Sequence, residues 1–240
     1  MERWNGKVVV VTGASSGIGE ALVENLVRQG LQVAGLARRV ERIEENAKKL
    51  EGCKGKLHAF YCDMTDDALI VETFKKIVNT LGPIHILVNN AGVAKKGMLI
   101  KGNEQIWRQT MDTNVMGLCL ATREAVNSML ENNIDGHVIH INSIAGHKNI
   151  YLNMYSPSKH AVTCITEVMR HELNQLNSKI KVSSISPGFT ETEINAAQHI
   201  PKEVPRLMSS DIVNAIVFVL STPPHVQVHE MIIKPVGETH

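Results

Sequence analysis

A short apolar run followed by a glycine-rich turn, close to the start of the chain, most restricts how this chain can fold. Residues 8–11 are four consecutive valines, and a run this short and β-branched predicts a strand buried on both faces, as in a parallel sheet. The next residues, Thr-Gly-Ala-Ser-Ser-Gly-Ile-Gly, place glycine at positions 13, 17 and 19. Apolar residues at 18, 22 and 26 then have helical spacing. This strand, turn and helix predict a site for the pyrophosphate of a dinucleotide at the helix N-terminus.

The glycine turn is not specific by itself. Three residues separate Gly13 from Gly17, whereas the common dinucleotide motif is G-x-G-x-x-G, so the turn could be any tight connection between a strand and a helix. Alternating strand and helix patterns along the rest of the chain favour the dinucleotide site. They predict strands at Val8–Val11, Leu31–Ala37, Leu57–Cys62, Ile84–Val88, His137–Asn142, Lys181–Ser186 and Val226–Ile233, with later helices at Val40–Leu50, Asp66–Leu81, Glu104–Asn132, Tyr155–Leu176 and Asp211–Leu220.

This alternation predicts an α/β fold: one doubly wound (Rossmann) sheet of about seven mostly parallel strands, with helices on both faces. The chain has 240 residues, 43% hydrophobic and 20% charged, without an internal repeat or a low-complexity linker. We therefore expect a single dinucleotide-binding domain over residues 1–240. The irregular segment Phe189–Arg206 follows a predicted strand and is the candidate for a short substrate lid.

Charge, cysteine and histidine patterns restrict the partners and the compartment. The 25 basic residues nearly balance the 24 acidic ones, so no net field favours nucleic acid or an anionic membrane. The sequence has no signal-peptide pattern, no apolar run of membrane-spanning length and no Cys-x-x-Cys pair. We expect a soluble, cytoplasmic protein with reduced thiols. We expect no metal site, because His137 and His140 fall on opposite faces of a strand and His225 and His229 lie roughly 13 Å apart when extended.

The end of the second predicted strand indicates which dinucleotide is preferred. An acidic residue there would bind the ribose 2′-hydroxyl of NAD, but Ala37 occupies the position and Arg38 and Arg39 follow. Arginine favours a 2′-phosphate, so the sequence predicts NADP(H) as the coenzyme. The alternative is a solvated arginine pair that opens the charged helix Val40–Leu50.

Polar residues also end or interrupt other apolar segments. Asp63 ends the third strand, and the turn Asn89-Asn90-Ala91-Gly92 lies at the carboxyl end of the fourth, where ligands of open α/β sheets bind. The segment Asn89-Asn90-Ala91-Gly92 could equally be a turn without a role in ligand binding. Thr113 and Asn114 fall within the apolar stripe of Glu104–Asn132 and need hydrogen-bond partners, which could be purely structural.

A tyrosine, a lysine and a serine are the candidates for catalysis. Tyr155 and Lys159 stand four residues apart on a predicted helix, and so share one face about 5–6 Å apart. The ammonium would lower the tyrosine pKa toward working pH, as a general acid or base for an alcohol and carbonyl pair requires. A surface tyrosine above a surface lysine is the alternative. Ser143, at the end of the fifth strand, could converge with them beside the dinucleotide.

Taken in order, these features resemble the short-chain dehydrogenase/reductase family along essentially the whole chain. The resemblance rests on Thr12-Gly13-Ala14-Ser15-Ser16-Gly17-Ile18-Gly19, Asp63, Asn89-Asn90-Ala91-Gly92, Asn114, Ser143, Tyr155-x-x-x-Lys159 and Pro187-Gly188. One departure is Pro157, where the family usually has a small residue such as alanine. Proline is tolerated there because it falls in the first helical turn.

The resemblance implies direct hydride transfer between a nicotinamide and a carbonyl or carbinol carbon. Tyr155 would exchange a proton with the substrate oxygen, and Ser143 would hydrogen-bond that oxygen. Lys159 would bind the nicotinamide ribose, and Asn114 would hold a water that links the lysine to solvent. Motifs and resemblance together predict that the coenzyme is bound by Gly13, Ser15, Ser16, Gly17, Ile18, Gly19, Arg38, Arg39, Asp63, Asn90, Tyr155, Lys159, Pro187, Gly188, Thr190 and Thr192.

More narrowly, Ala37-Arg38 and the brief lid resemble the animal branch that contains insect farnesol dehydrogenases and vertebrate keto-steroid reductases. This resemblance implies interconversion of a lipophilic alcohol, such as a farnesol-like terpenoid, and its aldehyde or ketone. A keto-steroid or small-carbonyl reductase is the enzymatic alternative, and a coenzyme-binding regulatory protein is the non-enzymatic one. The family also implies a homodimer or homotetramer.

Apolar residues in the loops near the expected carbonyl site favour a lipophilic substrate. Core packing could explain several of them. They are Met98, Leu99, Ile144, Ile150, Tyr151, Met154, Phe189 and Ile194.

Overall fold

One parallel sheet lies between two layers of helices. The structure is a computed structural model that describes residues 1–150, 153–196 and 203–238. The strands are β1 (Val8–Thr12), β2 (Gln32–Ala37), β3 (Lys56–Tyr61), β4 (Ile84–Asn89), β5 (His137–Ile141), β6 (Lys181–Pro187) and β7 (Glu230–Ile233). The helices are α1 (Gly17–Arg28), α2 (Val40–Lys49), α3 (Asp67–Leu81), α4 (Glu104–Met111), α5 (Gly117–Glu131), α6 (Tyr155–Gln175), α7 (Glu193–Ala196) and α8 (Ser209–Ser221). Short 3₁₀ helices occupy Glu2–Trp4 and Ile144–Gly146.

The strands are arranged in the order β3-β2-β1-β4-β5-β6-β7, and every neighbouring pair is parallel. The prediction of a doubly wound, seven-stranded sheet is confirmed. The strand order reverses between β1 and β4, which opens a crevice at the carboxyl ends of the strands. The loops that follow β1, β4, β5 and β6 meet at this crevice.

The valine run in β1 shows why both faces of the sheet are covered. Val9 and Val11 belong to a core with residues of α1, α2 and α8. Val8 and Val10 belong to a second core with residues of α3, α5 and α6. Successive side chains of a strand point to opposite faces, so an uninterrupted apolar run requires a helix layer on each side.

The predicted helix Glu104–Asn132 is interrupted. A π-helical turn at Asp112–Met116 separates α4 from α5. Within it, the Asn114 side chain exchanges hydrogen bonds with the backbone of Val93, at 2.8 and 3.0 Å. The turn thus brings a buried amide to the loop after β4, and π-helical turns of this kind often occur at functional sites.

The last strand is shorter than the predicted Val226–Ile233, because β7 begins only at Glu230. Side chains replace the sheet ladder before that point. The N–H of Val182 in β6 donates to Oε1 of Gln227 at 2.9 Å, and Oγ of Ser183 donates to the carbonyl of Val228 at 2.6 Å. The alternating apolar pattern of residues 226–233 does not indicate that side-chain hydrogen bonds replace main-chain ones over its first half.

The segment after β6 is only partly irregular, since it includes the short helix α7. Residues 197–202 of the predicted lid, and Tyr151 among the predicted apolar lining residues, lie outside the described part of the chain. Among the residues described, no helix is long and apolar enough to cross a membrane.

Candidate active site

A cleft of about 1530 Å³ lies at the carboxyl ends of the central strands. Pockets for a single small ligand usually measure about 300–1,000 Å³, so this cleft has room for a dinucleotide together with a substrate. Its wall includes every residue predicted to bind the coenzyme except Gly19. Ser143 also lies in the wall, together with the two residues that precede it, Ile141 and Asn142. Asn114 and Gly19 lie behind this wall.

The glycine turn has the backbone that its sequence predicts. Gly13 and Gly17 have φ angles of +68° and +59°, in the left-handed region that residues with a side chain rarely adopt. A Cβ atom on Gly13 would also lie 2.9 Å from the Cα atom of Ala91. The turn can therefore follow this path, packed against the loop after β4, only with glycine at these positions.

Gly19 and Asn90 stabilise the conformation of the glycine turn. A Cβ atom on Gly19 would lie 2.3 Å from the carbonyl oxygen of Gly13, so α1 packs directly on the turn. Nδ2 of Asn90 donates to the carbonyl oxygens of Thr12 and Gly13, at 2.9 and 3.2 Å. Asn90 lines the cleft, but these bonds join the ends of β1 and β4.

The N-terminus of α1 is open toward the cleft. Ser16 is the N-cap residue, and its side chain makes no capping hydrogen bond. Its Oγ instead accepts a bond of 3.1 Å from Nη2 of Arg39. The first N–H groups of the helix are thereby left for an anion, which matches the predicted pyrophosphate site.

Ser143 and Tyr155 meet on the other side of the cleft. Ser143 directly follows the residue after β5, has an extended backbone, and its Oγ accepts from the N–H of Ala145 at 3.1 Å. Tyr155 is the first residue of α6, which begins there even though Pro157 lies in its first turn. The two hydroxyl groups lie close enough for that of Ser143 to lower the pKa of Tyr155. A carbonyl oxygen placed beside this pair could receive two hydrogen bonds.

The pKa of Tyr155 differs from the sequence prediction. Burial is the larger influence and raises this pKa, while the hydrogen bond with Ser143 lowers it. Nζ of Lys159 lies 5.8 Å from the centre of the tyrosine ring, which agrees with the predicted shared face. The prediction of a lowered tyrosine pKa is therefore wrong, because desolvation of the phenolate outweighs the effect of Ser143.

Lys159 is buried, with 5% of its surface exposed. Its Nζ donates to the carbonyl oxygen of Ile141 at 2.8 Å, so the last residue of β5 holds the ammonium in place. Burial lowers the pKa of Lys159 to about 8. The alternative of a surface lysine beside a surface tyrosine does not describe this pair.

Asn114 connects three parts of the site from behind the cleft wall. Besides its two bonds to Val93, its Nδ2 donates to Oγ of Ser158 at 3.0 Å. Ser158 in turn donates to the carbonyl oxygen of Tyr155 at 2.7 Å. A Cβ atom on Gly92 would lie 3.5 Å from Oδ1 of Asn114 and 4.0 Å from Nζ of Lys159, so Gly92 lies between the amide and the lysine.

Charged residues surround the opposite end of the cleft. Oδ1 of Asp63 accepts from the N–H and the hydroxyl of Thr65, at 3.0 and 2.9 Å. Its Oδ2 lies 3.9 Å from Nη1 of Arg38. Arg38, one of the two arginines expected to bind a 2′-phosphate, therefore faces the carboxylate of Asp63, which is also expected to bind the coenzyme.

Arg39 has a different neighbour. Its Nη2 lies 2.8 Å from Oε2 of Glu193 in α7. Nη1 of Arg42, three residues further along the chain, bonds to Oε1 of the same carboxylate at 2.6 Å. The hydrogen bonds from Arg42 and Arg39 lower the pKa of Glu193.

The loop after β6 is held by the end of the chain. The N–H of Phe189 donates to Oε1 of Glu238 at 3.0 Å, and Oε2 of this carboxylate lies where a Cβ atom on Gly188 would be, only 2.3 Å from it. Oγ1 of Thr190 donates to the carbonyl of Gly188 at 3.1 Å. Any residue larger than glycine at position 188 would displace Glu238.

Some of the predicted apolar lining residues reach the cleft and others do not. Ile144, Ile150, Phe189 and Ile194 line it, together with Val204 and Pro205. Met98 and Leu99 are exposed, with 64% and 48% of their surfaces accessible, and are not part of the wall. The loop after β4 instead contributes its earlier residues, from Gly92 to Lys96.

Sequence reasoning did not identify four residues that organise the site: Ser158, Arg42, Glu193 and Glu238. Ser158 and Arg42 could have been considered, because they lie beside Lys159 and one turn after Arg39. No sequence signal pairs Glu193 or Glu238 with its partners, because those contacts join residues far apart in the chain.

Comparisons with known proteins agree with this geometry. Residues 7–203 match the short chain dehydrogenase family. Farnesol dehydrogenase of Aedes aegypti is 50% identical over 243 residues, covering 99% of both chains. Dehydrogenase/reductase SDR family member 11 of Gallus gallus is 39% identical over 250 residues, covering 98% of both chains.

Solved structures share the fold over nearly the whole chain. An alcohol dehydrogenase from the archaeon Thermococcus sibiricus, complexed with 5-hydroxy-NADP, has a TM-score of 0.88 at 26% identity, covering 98% of this chain and 99% of that one. The closed form of a serine dehydrogenase complexed with NADP⁺ also has a TM-score of 0.88, at 30% identity, covering 97% of this chain and 96% of that one. The family match, the relatives and the site together show that the chain belongs to the short chain dehydrogenase family of oxidoreductases.

Proposed function

We propose that this protein is an NADP(H)-dependent oxidoreductase that interconverts a lipophilic alcohol and its aldehyde or ketone. The observation that carries the proposal is the convergence of Ser143, Tyr155 and Lys159 in one cleft with the glycine turn. The glycine backbone and the open N-terminus of α1 suit a dinucleotide pyrophosphate. The hydroxyl pair suits a substrate oxygen.

When bound, a nicotinamide coenzyme supplies or accepts the hydride. The chain itself handles the proton. In carbonyl reduction, the hydroxyl of Tyr155 donates its proton to the developing alkoxide while the hydroxyl of Ser143 holds the same oxygen in place. The raised pKa of Tyr155 keeps the phenol protonated before reduction begins. In oxidation the phenolate accepts the proton, and the ammonium of Lys159 stabilises the phenolate by its charge.

Asn114 has a supporting role in this proposal. Its amide fixes Val93 beside the cleft and, through Ser158, the first turn of α6. Because α6 carries both Tyr155 and Lys159, Asn114 positions the acid–base group relative to the loop after β4. The family resemblance adds a water held by Asn114 that links the lysine to solvent.

The coenzyme assignment rests on the arginines near the glycine turn. Arg39 contacts Ser16, and Arg38 faces Asp63, so two guanidinium groups border the place where the adenosine ribose is expected. Guanidinium groups bind phosphate through charge-assisted hydrogen bonds. The similar serine dehydrogenase, which was solved in complex with NADP⁺, supports the assignment.

The substrate assignment rests on the apolar side chains of the cleft and on the relatives. Ile144, Ile150 and Phe189 line the cleft, and the mosquito relative is named for its action on farnesol. A terpenoid alcohol is therefore the preferred substrate class. A keto-steroid or small-carbonyl reductase remains the alternative. We also propose that the protein forms a homodimer or homotetramer, with exposed apolar residues such as Leu130 and Val168 at the contact.

Coenzyme absorbance measured against terpenoid alcohols, retinoids, steroids and dicarbonyls tests the proposal. We expect turnover with NADP(H) on at least one lipophilic class, and loss of that turnover in Tyr155→Phe as the matched control. Coenzyme binding without turnover on any class would favour the non-enzymatic alternative. Equal affinity for NAD(H) and NADP(H) would contradict the coenzyme assignment.

A further inference from the structure

Glu193 is the central residue of an ion-pair cluster at the mouth of the cleft. Each of its carboxylate oxygens is paired with a different guanidinium: Oε2 with Arg39 at 2.8 Å and Oε1 with Arg42 at 2.6 Å. Arg39 also donates to Oγ of Ser16 in the glycine turn at 3.1 Å. Two arginines are thus gathered around one anion that the chain itself supplies, and one of them, Arg39, also contacts the glycine turn.

The path of the chain brings this carboxylate across the cleft. Thr192 precedes Glu193, and its Cγ2 would lie 3.2 Å from a Cβ atom on Gly17. The residues after β6 therefore lie directly over the glycine turn before α7 begins. Glu193 lines the same cleft as Ser16 and Arg39, so the ion pairs join the two sides of the proposed coenzyme site.

A carboxylate and a phosphate use the same donors of a guanidinium group. The N–H groups of Arg39 that hold Glu193 are among those that a 2′-phosphate beside Ser16 would need. A phosphate and Glu193 would also repel one another at this distance. The two anions therefore cannot both occupy this cluster without loss of hydrogen bonds.

We infer that Glu193 is a specificity-determining residue, whose carboxylate occupies the Arg39 and Arg42 pair and is displaced by the 2′-phosphate of NADP(H). This inference rests on the proposed preference for NADP(H). A coenzyme without the 2′-phosphate leaves the cluster undisturbed. Glu193 thus reduces the affinity for NADP(H), leaves that for NAD(H) unchanged, and so determines how large the difference between them is.

The expected effect is modest, because the three side chains are partly exposed. Arg39, Arg42 and Glu193 have 44%, 43% and 49% of their side-chain surfaces accessible. Exposed ion pairs contribute little each, so removing the competition should tighten binding of a 2′-phosphate by about three- to tenfold.

The test uses two probes that lack the nicotinamide and differ only by the 2′-phosphate, adenosine 2′,5′-bisphosphate and adenosine 5′-monophosphate (AMP), titrated by calorimetry into the full chain at constant ionic strength. Glu193→Gln removes the charge and keeps the shape, and Glu193→Ala removes the side chain. Glu41→Gln is the control, because Glu41 acts on Arg42 through its charge. We expect both Glu193 variants to bind the bisphosphate about three- to tenfold more tightly, with AMP affinity changed less than about twofold. We expect Glu41→Gln to have a smaller effect.

Three results would overturn the inference, and they have different meanings. Equal wild-type affinity for the two probes would contradict the NADP(H) preference and with it the role of Glu193. A clear wild-type preference for the bisphosphate, with unchanged or weaker binding in Glu193→Gln, would contradict the role of Glu193 alone. Equal tightening in Glu193→Gln and Glu41→Gln would show a general charge effect rather than displacement.

Discussion

The two ends of the cleft hold their functional side chains by different interactions. At the catalytic end, Lys159 and Asn114 are buried and bond to main-chain groups of Ile141 and Val93. At the arginine end, Arg39 and Glu193 are about half exposed and paired with one another. Main-chain partners have no alternative positions, whereas side-chain partners at the surface can exchange one anion for another.

This difference also determines how each end responds to its surroundings. Burial lowers the pKa of Lys159 and raises that of Tyr155, which shows that desolvation dominates at the catalytic end. Salt screens exposed charges far more than buried ones. We therefore expect changes at the catalytic end to have large effects that salt does not alter, and changes at the arginine end to have smaller effects that salt reduces.

The largest effect should follow from Tyr155→Phe, which removes one hydroxyl at the catalytic end. General acid–base catalysis contributes about 10²–10⁴-fold, so kcat should fall by that factor. Coenzyme affinity should change little, because the ring and the helix remain. Steady-state rates and coenzyme fluorescence would measure both quantities. If the variant keeps more than about a tenth of wild-type kcat on a substrate limited by chemistry, Tyr155 is not the acid–base group.

Lys159→Met should affect binding and rate together. The variant keeps the aliphatic stem but removes the ammonium that bonds to Ile141 and lies near Tyr155. We expect about a tenfold loss of coenzyme affinity and about 10–100-fold loss of kcat. Ser143→Ala is the matched comparison, since it should reduce kcat without weakening the coenzyme. Unchanged coenzyme affinity in Lys159→Met would separate the lysine from the ribose site.

Two histidines of β5, which lies beneath the catalytic end, make the stability of the fold depend on pH. Burial is the main influence on their pKa values, as it is for Lys159 and Tyr155. His140 is fully buried, and its Nδ1 lies 2.9 Å from Oγ1 of Thr166. Burial lowers the pKa of both His137 and His140 from 6.5 to about 3. Between these values the unfolded chain binds protons that the folded chain does not, so stability must fall as pH falls from about 6.5 toward about 3.

In this pH window, each buried histidine should lower the free energy of unfolding by up to about 1.4 kcal/mol for each unit by which the pH falls. Urea unfolding at several pH values would measure the slope. His140→Gln should reduce the slope, because it removes one of the two buried imidazoles. A stability that does not decrease with acidity down to about pH 5 would contradict the buried, neutral state of these histidines.

The smaller effects should come from the arginine end, beginning with Arg39→Ala. It removes the guanidinium that contacts Ser16, and a charge-assisted hydrogen bond is worth about 1.5–3 kcal/mol before screening. We expect about tenfold weaker binding of NADP(H), with NAD(H) nearly unchanged. Arg38→Ala should have a smaller effect, because Arg38 faces Asp63 in this structure.

Salt distinguishes the two ends in the same experiment. The loss in Arg39→Ala should shrink as ionic strength rises, whereas the loss of kcat in Tyr155→Phe should persist. A salt-independent loss in Arg39→Ala would show that the arginine end is as rigid as the catalytic end. Equal losses for both coenzymes would show that Arg39 does not contact the 2′-phosphate.

The architecture and most of the cleft wall follow from local patterns in the sequence. Strand and helix periods and the glycine spacing are local, so the doubly wound sheet and the turn at Gly13 and Gly17 could be predicted without knowing any distant contact. The short valine run predicted a strand buried on both faces, and the alternation of strands and helices predicted the helix layers that cover it. The order of strands and loops then placed Ser143 and Tyr155 at one edge of the sheet.

The partners of these residues and the extent of their burial depend instead on contacts between distant parts of the chain. Glu193 meets Arg42 across 151 residues of sequence, and Asn114 meets Ser158 across 44, so no local pattern contains either contact. The pKa of Lys159, lowered to about 8, depends on how completely the whole fold excludes water from one ammonium. Sequence periodicity specifies which face of an element is buried, whereas partners and desolvation depend on every element packed around the site.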